Sequence, residues 1–246
     1  MALAHRGFSL GGLENTLTAF RAAWDLGFTH LETDVHATAD GVLVAFHDET
    51  LDRVTDRSGR ISRLPWAEVA RARIGGAERV LRFEELAEAL PDACFNVDVK
   101  ASPAVAPFAD AIERLRLHDR VLVASFSDAR RRAVLARLSR PVAASAGTRT
   151  TALLAFGAPA VPAGVLRRFL HDVDCFQVPE GQGRLPVVTP AFLARSHALG
   201  KQVHVWTVNE AADMSRLLDL GVDGLVTDRA DVLRGVLEAR GAWPPA

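Results

Sequence analysis

The sequence predicts an α/β fold: a (β/α)8 barrel, or TIM barrel, with a short insertion after the second strand. Three observations point there. The chain has 246 residues, close to the ~250 typical of one such barrel. Short β-like runs alternate with helical patterns from end to end, which implies a mostly parallel sheet covered by helices. Polar residues also gather at the C-terminal ends of those runs, where barrel enzymes collect their chemistry. They are His5, Asp34, Lys100, Ser125, Trp206 and Asp228. No GxGxxG follows the first run, so the usual dinucleotide-binding sheet is set aside.

Strands are expected over 2–5, 28–35, 42–46, 95–99, 121–125, 142–145, 174–178, 203–207 and 224–227. Eight of them close a barrel if 42–46 is a hairpin extension and not a barrel strand. Between them, apolar residues recur at i, i+3 and i+4 over 16–26, 105–115, 129–138, 190–199, 210–220 and 230–239, the helical period. Gly27, Gly200 and Gly221 follow apolar stripes, where a left-handed residue closes a helix. The pattern is weakest over 148–170, where Pro159, Pro162 and Gly164 interrupt it. Residues of about 48–80 read as a loop-plus-helix excursion, too long for an ordinary strand-to-helix turn. The whole of 1–246 reads as one domain, without repeat or linker. Arg130-Arg131-Arg132 reads as the solvated start of a helix.

Lys and Arg number 29 against 30 Asp and Glu, a net charge of -1. That balance points away from nucleic acid and from an anionic membrane surface. Hydrophobic residues make up 49% of the chain, enough for a large core, yet no run approaches the ~20 apolar residues of a membrane span. No stable membrane anchor is expected. Cys94 and Cys175 lie far apart in apolar runs and read as buried free thiols. With chemistry-bearing residues starting at His5, no secretory leader is expected, and a cytoplasmic location fits. Nothing in the sequence sets an oligomeric state.

The chemistry is concentrated early. Glu32 and Asp34 are two apart on a strand and leave the same face. Two such acids repel unless a cation or proton separates them. With Asp98 they make three carboxylates and no Cys or His ligand spacing, which favours Mg2+ or Ca2+ over Zn2+. A surface strand with ordinary solvated acids would look the same in isolation. His5 and His47 can each act as acid or base, since imidazole titrates near ~6.5. Arg6 and Lys100 suit a phosphate clamp, one as a planar fork and the other as a point charge. Gly7 would let phosphate approach the backbone, and Trp206 would wall the pocket against an organic group.

In order along the chain stand His5-Arg6-Gly7, Glu14-Asn15-Thr16, Glu32-Thr33-Asp34-Val35, Thr38-Ala39-Asp40-Gly41, His47-Asp48 and Leu51-Asp52-Arg53. Asp98-Val99-Lys100, Ser125-Phe126, Val205-Trp206-Thr207-Val208-Asn209, Gly221-Val222-Asp223-Gly224 and Thr227-Asp228 follow. This ordered set resembles the glycerophosphodiester phosphodiesterases over most of the chain, most thinly between about 140 and 185. The resemblance implies a (β/α)8 barrel in which His5 and His47 are the general acid–base pair. It implies that Glu32, Asp34 and Asp98 hold one divalent cation and that Arg6 and Lys100 contact phosphate. Glu14 and Asn15 would lie in the loop at the site mouth, and Trp206 would face the glycerol or alcohol moiety. The family often carries Glu where Asp98 stands. Leu13 and Val80-Leu81-Arg82-Phe83 also depart from its pattern, and touch loop shape only.

The expected reaction is metal-dependent hydrolysis of a small-molecule glycerophosphodiester to glycerol 3-phosphate and an alcohol. Two other readings stand beside it. One is a lysophospholipase D-type hydrolase acting on lysophospholipids, which would need an apolar entrance. The other is a non-catalytic barrel that binds head groups.

Overall fold

A computed structural model describes residues 1–157, 161–183 and 185–243. Eight parallel strands ring its centre: β1 (Ala2–His5), β2 (His30–Ala37), β3 (Cys94–Val99), β4 (Val121–Ala124), β5 (Ala143–Ala144), β6 (Cys175–Pro179), β7 (Gln202–Trp206) and β8 (Gly224–Thr227). Each pairs with its sequence neighbour from β1 to β5 and from β6 to β8, and β8 returns to β1. The seam between β5 and β6 is the thinnest. It is closed by a bridge between Ser145 and Cys175, with Ala146 N–H donating to Cys175 O at 2.9 Å and Asp174 N–H to Ala144 O at 2.8 Å. The barrel expected from alternation is the fold observed.

The sequence of β2 explains why it sits where it does. Leu31 and Val35 point outward and are fully buried in the main core, while Glu32 and Asp34 leave the opposite, inward face. Each buried Leu, Val or Phe contributes roughly 1.5–3 kcal/mol. The outward face therefore sets the register that turns the acids inward.

Helices α1 (Leu17–Asp25), α2 (Phe83–Ala89), α3 (Val105–Leu115), α4 (Asp128–Leu135), α5 (Ala163–Phe169), α6 (Pro190–Ala198), α7 (Ala211–Leu220) and α8 (Ala230–Ala239) follow the eight strands in turn. Their starts carry side-chain caps where the sequence supplies them. Thr16, Ser127 and Thr189 accept the backbone N–H of Ala19, Arg130 and Phe192. Gly221 ends α7 at φ 98°, a left-handed closure as expected. In the weakly patterned stretch, a short helix at Thr148–Ala152 runs into a π-helical turn at Leu153–Gly157 before α5. Pro159 lies outside the described residues.

The segment 42–46 is a hairpin extension: Leu43–Ala45 runs antiparallel to β2 and pairs in turn with Leu81–Arg82. The excursion between these two has its own small core of Val44, Phe46, Leu51, Ile61, Val69, Ala72, Ile74 and Val80. It seats the next residue, His47, against β2. Phe46 N–H donates to Asp34 O at 2.9 Å, and His36 Nε2 lies 3.1 Å from His47 O.

Two sequence readings are corrected here, and a third residue gains a further constraint. Arg131 is fully buried, not solvated: its guanidinium bonds the Asp172 carboxylate at 3.0 Å and the Asp172 carbonyl, tying α4 to the loop before β6. Cys175 is buried as expected, but Cys94 is only half-buried. Gly7, read as admitting phosphate, is also constrained by packing. At φ 85°, a Cβ there would come within 2.6 Å of the Ala19 backbone in α1.

Candidate active site

A cavity of about 550 Å³ opens at the C-terminal ends of the strands. Its floor is polar. His5 and Arg6 enter from β1, Glu32 and Asp34 from β2, Asn96, Asp98 and Lys100 from β3, and His47 from the hairpin. Its far wall is apolar, with Phe126, Phe156 and Trp206 in it. Phe126 and Trp206 stack edge to face at 5.7 Å, and Lys100 Nζ lies 5.4 Å from the centre of the Phe126 ring.

The two imidazoles are held alike. His5 Nδ1 lies 2.6 Å from Asp228 Oδ1, just past the end of β8. Asn209 fixes that carboxylate: its Nδ2 donates to Asp228 Oδ2 at 2.9 Å, and its Oδ1 accepts Asp228 N–H at 2.9 Å. His47 Nδ1 lies 2.6 Å from Asp48 Oδ1, and Arg53 grips both oxygens of Asp48 at 2.7 and 3.0 Å. A carboxylate can only accept, so Nδ1 of each imidazole carries the proton when the ring is neutral. Nε2 is then the working nitrogen. That of His5 lies 3.8 Å from Glu32 Oε2.

The charges form one network. Arg53 continues to Glu14 at 2.7 and 2.9 Å, and Arg6 donates to the same Glu14 at 2.9 Å. Arg6 Nε pairs with Asp34 Oδ2 at 3.1 Å. Lys100 Nζ lies between Asp34 Oδ1 at 2.9 Å and Asp98 Oδ2 at 2.7 Å. Burial alone would raise Asp34, but Lys100 and Arg6 outweigh it and hold its carboxyl below the usual range. Glu32 goes the other way: burial, then the Asp34 charge, pushes it up to about 7. Asp98 is raised by burial against the pull of Lys100. For His5, burial would lower the pKa, but Glu32 and the Asp228 bond overcome this and raise it.

The structure thus gathers His5, Arg6, Glu32, Asp34, His47, Asp98, Lys100 and Trp206 around one cavity. Glu14 and Asn15 do not line it themselves but bond two residues that do, Arg6 and Asp34. Asn15 is 1% exposed; its amide donates to Asp34 Oδ2 at 3.3 Å and accepts from Thr33 Oγ1 at 2.8 Å. Sequence reasoning gave no role to Asp48, Asp228, Asn209, Arg53 or Asn96. Asp48 carried a signal in directly following His47, and Asn96 in lying two residues before Asp98. Asn209 and Asp228 meet only through the tertiary fold.

Among the described residues, no three Asp, Glu, His or Cys groups are drawn onto one point that would hold a metal ion. The Lys100 ammonium stands between two of the acids. The donor set nevertheless fits a hard cation. Asp98 Oδ1 and Asn96 Oδ1 are buried without a hydrogen-bond partner, and such atoms are rare in folded proteins. Burial and the Asp34 charge push Glu32 up to about 7 in spite of His5, Arg6 and Lys100, and a cation beside it would favour its charged form.

Known proteins share this arrangement of sequence and fold. The family model described as the glycerophosphoryl diester phosphodiesterase family matches residues 5–232. A Mycobacterium tuberculosis protein named "Probable glycerophosphodiester phosphodiesterase 2" is 47% identical, covering 100% of this chain and 94% of its own length. A glycerophosphodiester phosphodiesterase of Caldanaerobacter subterraneus subsp. tengcongensis is 27% identical, covering 98% of this chain and 99% of its own. Among solved structures, an Oleispira antarctica phosphodiesterase in complex with the product sn-glycerol-3-phosphate superimposes with a TM-score of 0.80. That pair is 22% identical, with 97% of this chain and 96% of the other covered. Fold and sequence together place the chain among the barrel hydrolases of phosphoric diesters. It belongs to the glycerophosphoryl diester phosphodiesterase family.

Proposed function

We propose that the chain hydrolyses glycerophosphodiesters to glycerol 3-phosphate and an alcohol, with His5 and His47 as its acid–base pair. The observation that carries this reading is the matched pair of imidazoles on one cavity, each with Nδ1 2.6 Å from an aspartate. One Nε2 takes the proton of the nucleophile and the other returns a proton to the leaving alkoxide. The raised pKa of His5 suits the donor. Arg6 and Lys100 bind the phosphate oxygens from the floor, where charge gathers as the bond breaks. Trp206 faces the organic group.

Glu32, Asp34 and Asp98 would hold one divalent cation, Mg2+ or Ca2+. When bound it supplies Lewis-acid stabilisation of the phosphoryl charge. The whole chain, 1–246, would act as one barrel domain whose excursion seats His47. A cytoplasmic setting suits its two free cysteines. No helix among the described residues is long and apolar enough to cross a membrane.

Release of glycerol 3-phosphate from glycerophosphocholine tests the reaction. Chelation by EDTA should abolish it. His5→Ala and His47→Ala should each lose roughly 10³-fold, about 4 kcal/mol of barrier. Full activity in either variant removes that histidine from the chemistry.

The apolar wall favours a second reading, lysophospholipid hydrolysis of the phospholipase D type. Phe126 is 56% and Phe156 54% exposed, both lining the cavity, which suits a hydrocarbon chain. Turnover of long-chain lysophosphatidylcholine against glycerophosphocholine separates the two.

A further inference from the structure

We propose that the far side of the cavity is a head-group subsite for a neutral alcohol bearing several hydroxyls. Glycerophosphodiesters of glycerol or inositol are then preferred over those of choline or ethanolamine. This rests on the phosphodiesterase reading above and deepens it by naming the class of leaving alcohol.

Charge is confined to one half of the cavity. Every titratable side chain of its described lining comes from β1, β2, the residues of and just after β3, or the hairpin. From β4 round to β8 the lining is uncharged. There the hydroxyls of Ser145, Thr148 and Thr151 and the amide of Gln177 stand among rings that include Phe126 and Trp206. Two acids in the loops on this side are turned to other work. Asp128 accepts the backbone N–H of Gly147 and Thr150 at 3.0 and 3.2 Å, and Glu180 pairs with Arg216 at 2.8 Å. Neither lines the cavity.

Gln177 is held in a defined orientation. Phe176 and Val178 on β6 are buried in the main core, which turns Gln177 to the inward face between them. Its register partner on β7 is His204. His204 Nε2 donates to Gln202 Oε1 at 3.1 Å, so its Nδ1 accepts, and Gln177 Nε2 is the donor at 3.3 Å. With its nitrogen given to His204, the amide keeps its oxygen as an acceptor for the cavity that it lines.

A hydroxyl donates and accepts at once, and an amide oxygen accepts. An alcohol with several hydroxyls can therefore pair with Gln177, Ser145 and Thr151 together while its carbon skeleton lies against Trp206. Choline brings no donor, and its charge needs an aromatic face or a carboxylate. The Phe126 face already carries the Lys100 ammonium, 5.4 Å from the ring centre, and like charges repel. Ethanolamine has donors, but its ammonium would leave water with no acid on this wall to receive it.

Release of glycerol 3-phosphate by the full chain, in Mg2+ and in Ca2+, tests this on four diesters. They are glycerophosphoglycerol, glycerophosphoinositol, glycerophosphocholine and glycerophosphoethanolamine. In kcat/KM, each of the first two should exceed each of the last two by at least about tenfold. Gln177→Met, similar in length and without the amide, should shrink that ratio by at least about fivefold, because a hydroxyl loses its partner. Should Gln177→Met not fold, Gln177→Glu decides. A carboxylate on this wall rewards an ammonium, so the ratio should move at least about tenfold toward glycerophosphocholine. An unchanged ratio in the folded variant overturns the proposal. A wild type that treats the four alike, or favours the amines, overturns it while leaving the phosphodiesterase reading intact. If none of the four yields glycerol 3-phosphate, that reading itself falls and the subsite with it.

Discussion

His5 Nδ1 and Asp228 Oδ1 lie 2.6 Å apart although 223 positions separate them in the chain. The pair exists because β8 returns to β1, placing Thr227 beside Ala4. Barrel closure and imidazole orientation are thus one event.

Replacing Asp228 should therefore damage chemistry more than stability. In Asp228→Asn the amide oxygen or nitrogen can meet Nδ1, so the ring loses its fixed tautomer. A carboxylate that raises the His5 pKa is also removed. A kcat loss of roughly 10²–10⁴ is expected, by the logic of other carboxylate-held histidines. Steady-state release of glycerol 3-phosphate checks it, with NMR titration of His5 reporting a lower pKa than in the wild type. An unchanged pKa would mean that Asp228 does not act on the imidazole.

Arg53 offers a complementary case. It reaches from the excursion to Asp48 and Glu14 at once, so it holds His47 and, through Glu14, Arg6. Arg53→Ala should lower kcat by about 10–100-fold with a modest rise in KM, since it touches neither the nucleophile nor phosphate. Arg53→Lys should recover only part, because one ammonium cannot grip Asp48 and Glu14 with two forks. Measuring both variants separates lost charge from lost geometry.

These two cases show where sequence was informative. Glu32 and Asp34 were legible because a strand has period two, and Leu31 and Val35 committed the other face to the core. The same logic located Asp98 on β3, with Lys100 one residue past its end. The partners of Glu14 and Asn15 were not legible, because they depend on a left-handed turn at Asn15, φ 57°, and on an arginine arriving from the excursion. Arg131 was misread because a basic triplet says nothing of the Asp172 waiting across the fold. Asn96 passed unnoticed because an amide on a strand looks like any polar residue until its neighbours are seen to leave it unpaired.

Gly7→Ala tests the packing account of that residue. The added methyl meets Ala19 backbone atoms at 2.6 and 2.8 Å, and the residue would also sit at positive φ. Strain and overpacking together should cost about 2–5 kcal/mol. A chain of this size should then melt roughly 5–15 °C lower. Had Gly7 served chiefly to admit phosphate, KM would rise in a protein of unchanged melting temperature.

The apolar wall makes a prediction about selectivity. Phe156→Ser removes a half-exposed ring from the cavity lining without touching the floor. Turnover of glycerophosphocholine should stay within about twofold of the wild type. Any activity on long-chain lysophosphatidylcholine should fall by about tenfold or more, since one buried aromatic contributes roughly 1.5–3 kcal/mol. Equal losses on both substrates would place Phe156 in the fold of the rim and not in recognition of a chain.

His204 governs a pH dependence that involves no chemistry. It lies beneath Trp206 in the barrel interior, between Gln177 and Gln202 at 3.3 and 3.1 Å. Burial, followed by the N-terminal ammonium, pushes its pKa down to about 4. Unfolded, it titrates near ~6.5. Between those values the unfolded chain binds a proton that the folded chain refuses, so stability falls as pH drops through this window. The loss attributable to His204 is on the order of 3 kcal/mol once the pH lies below about 4. Urea unfolding midpoints at pH 7, 6, 5 and 4.5 measure the slope. His204→Gln keeps a hydrogen-bonding side chain without the proton site, and its slope should be shallower than the wild-type slope. Parallel slopes would show that other groups carry the acid sensitivity.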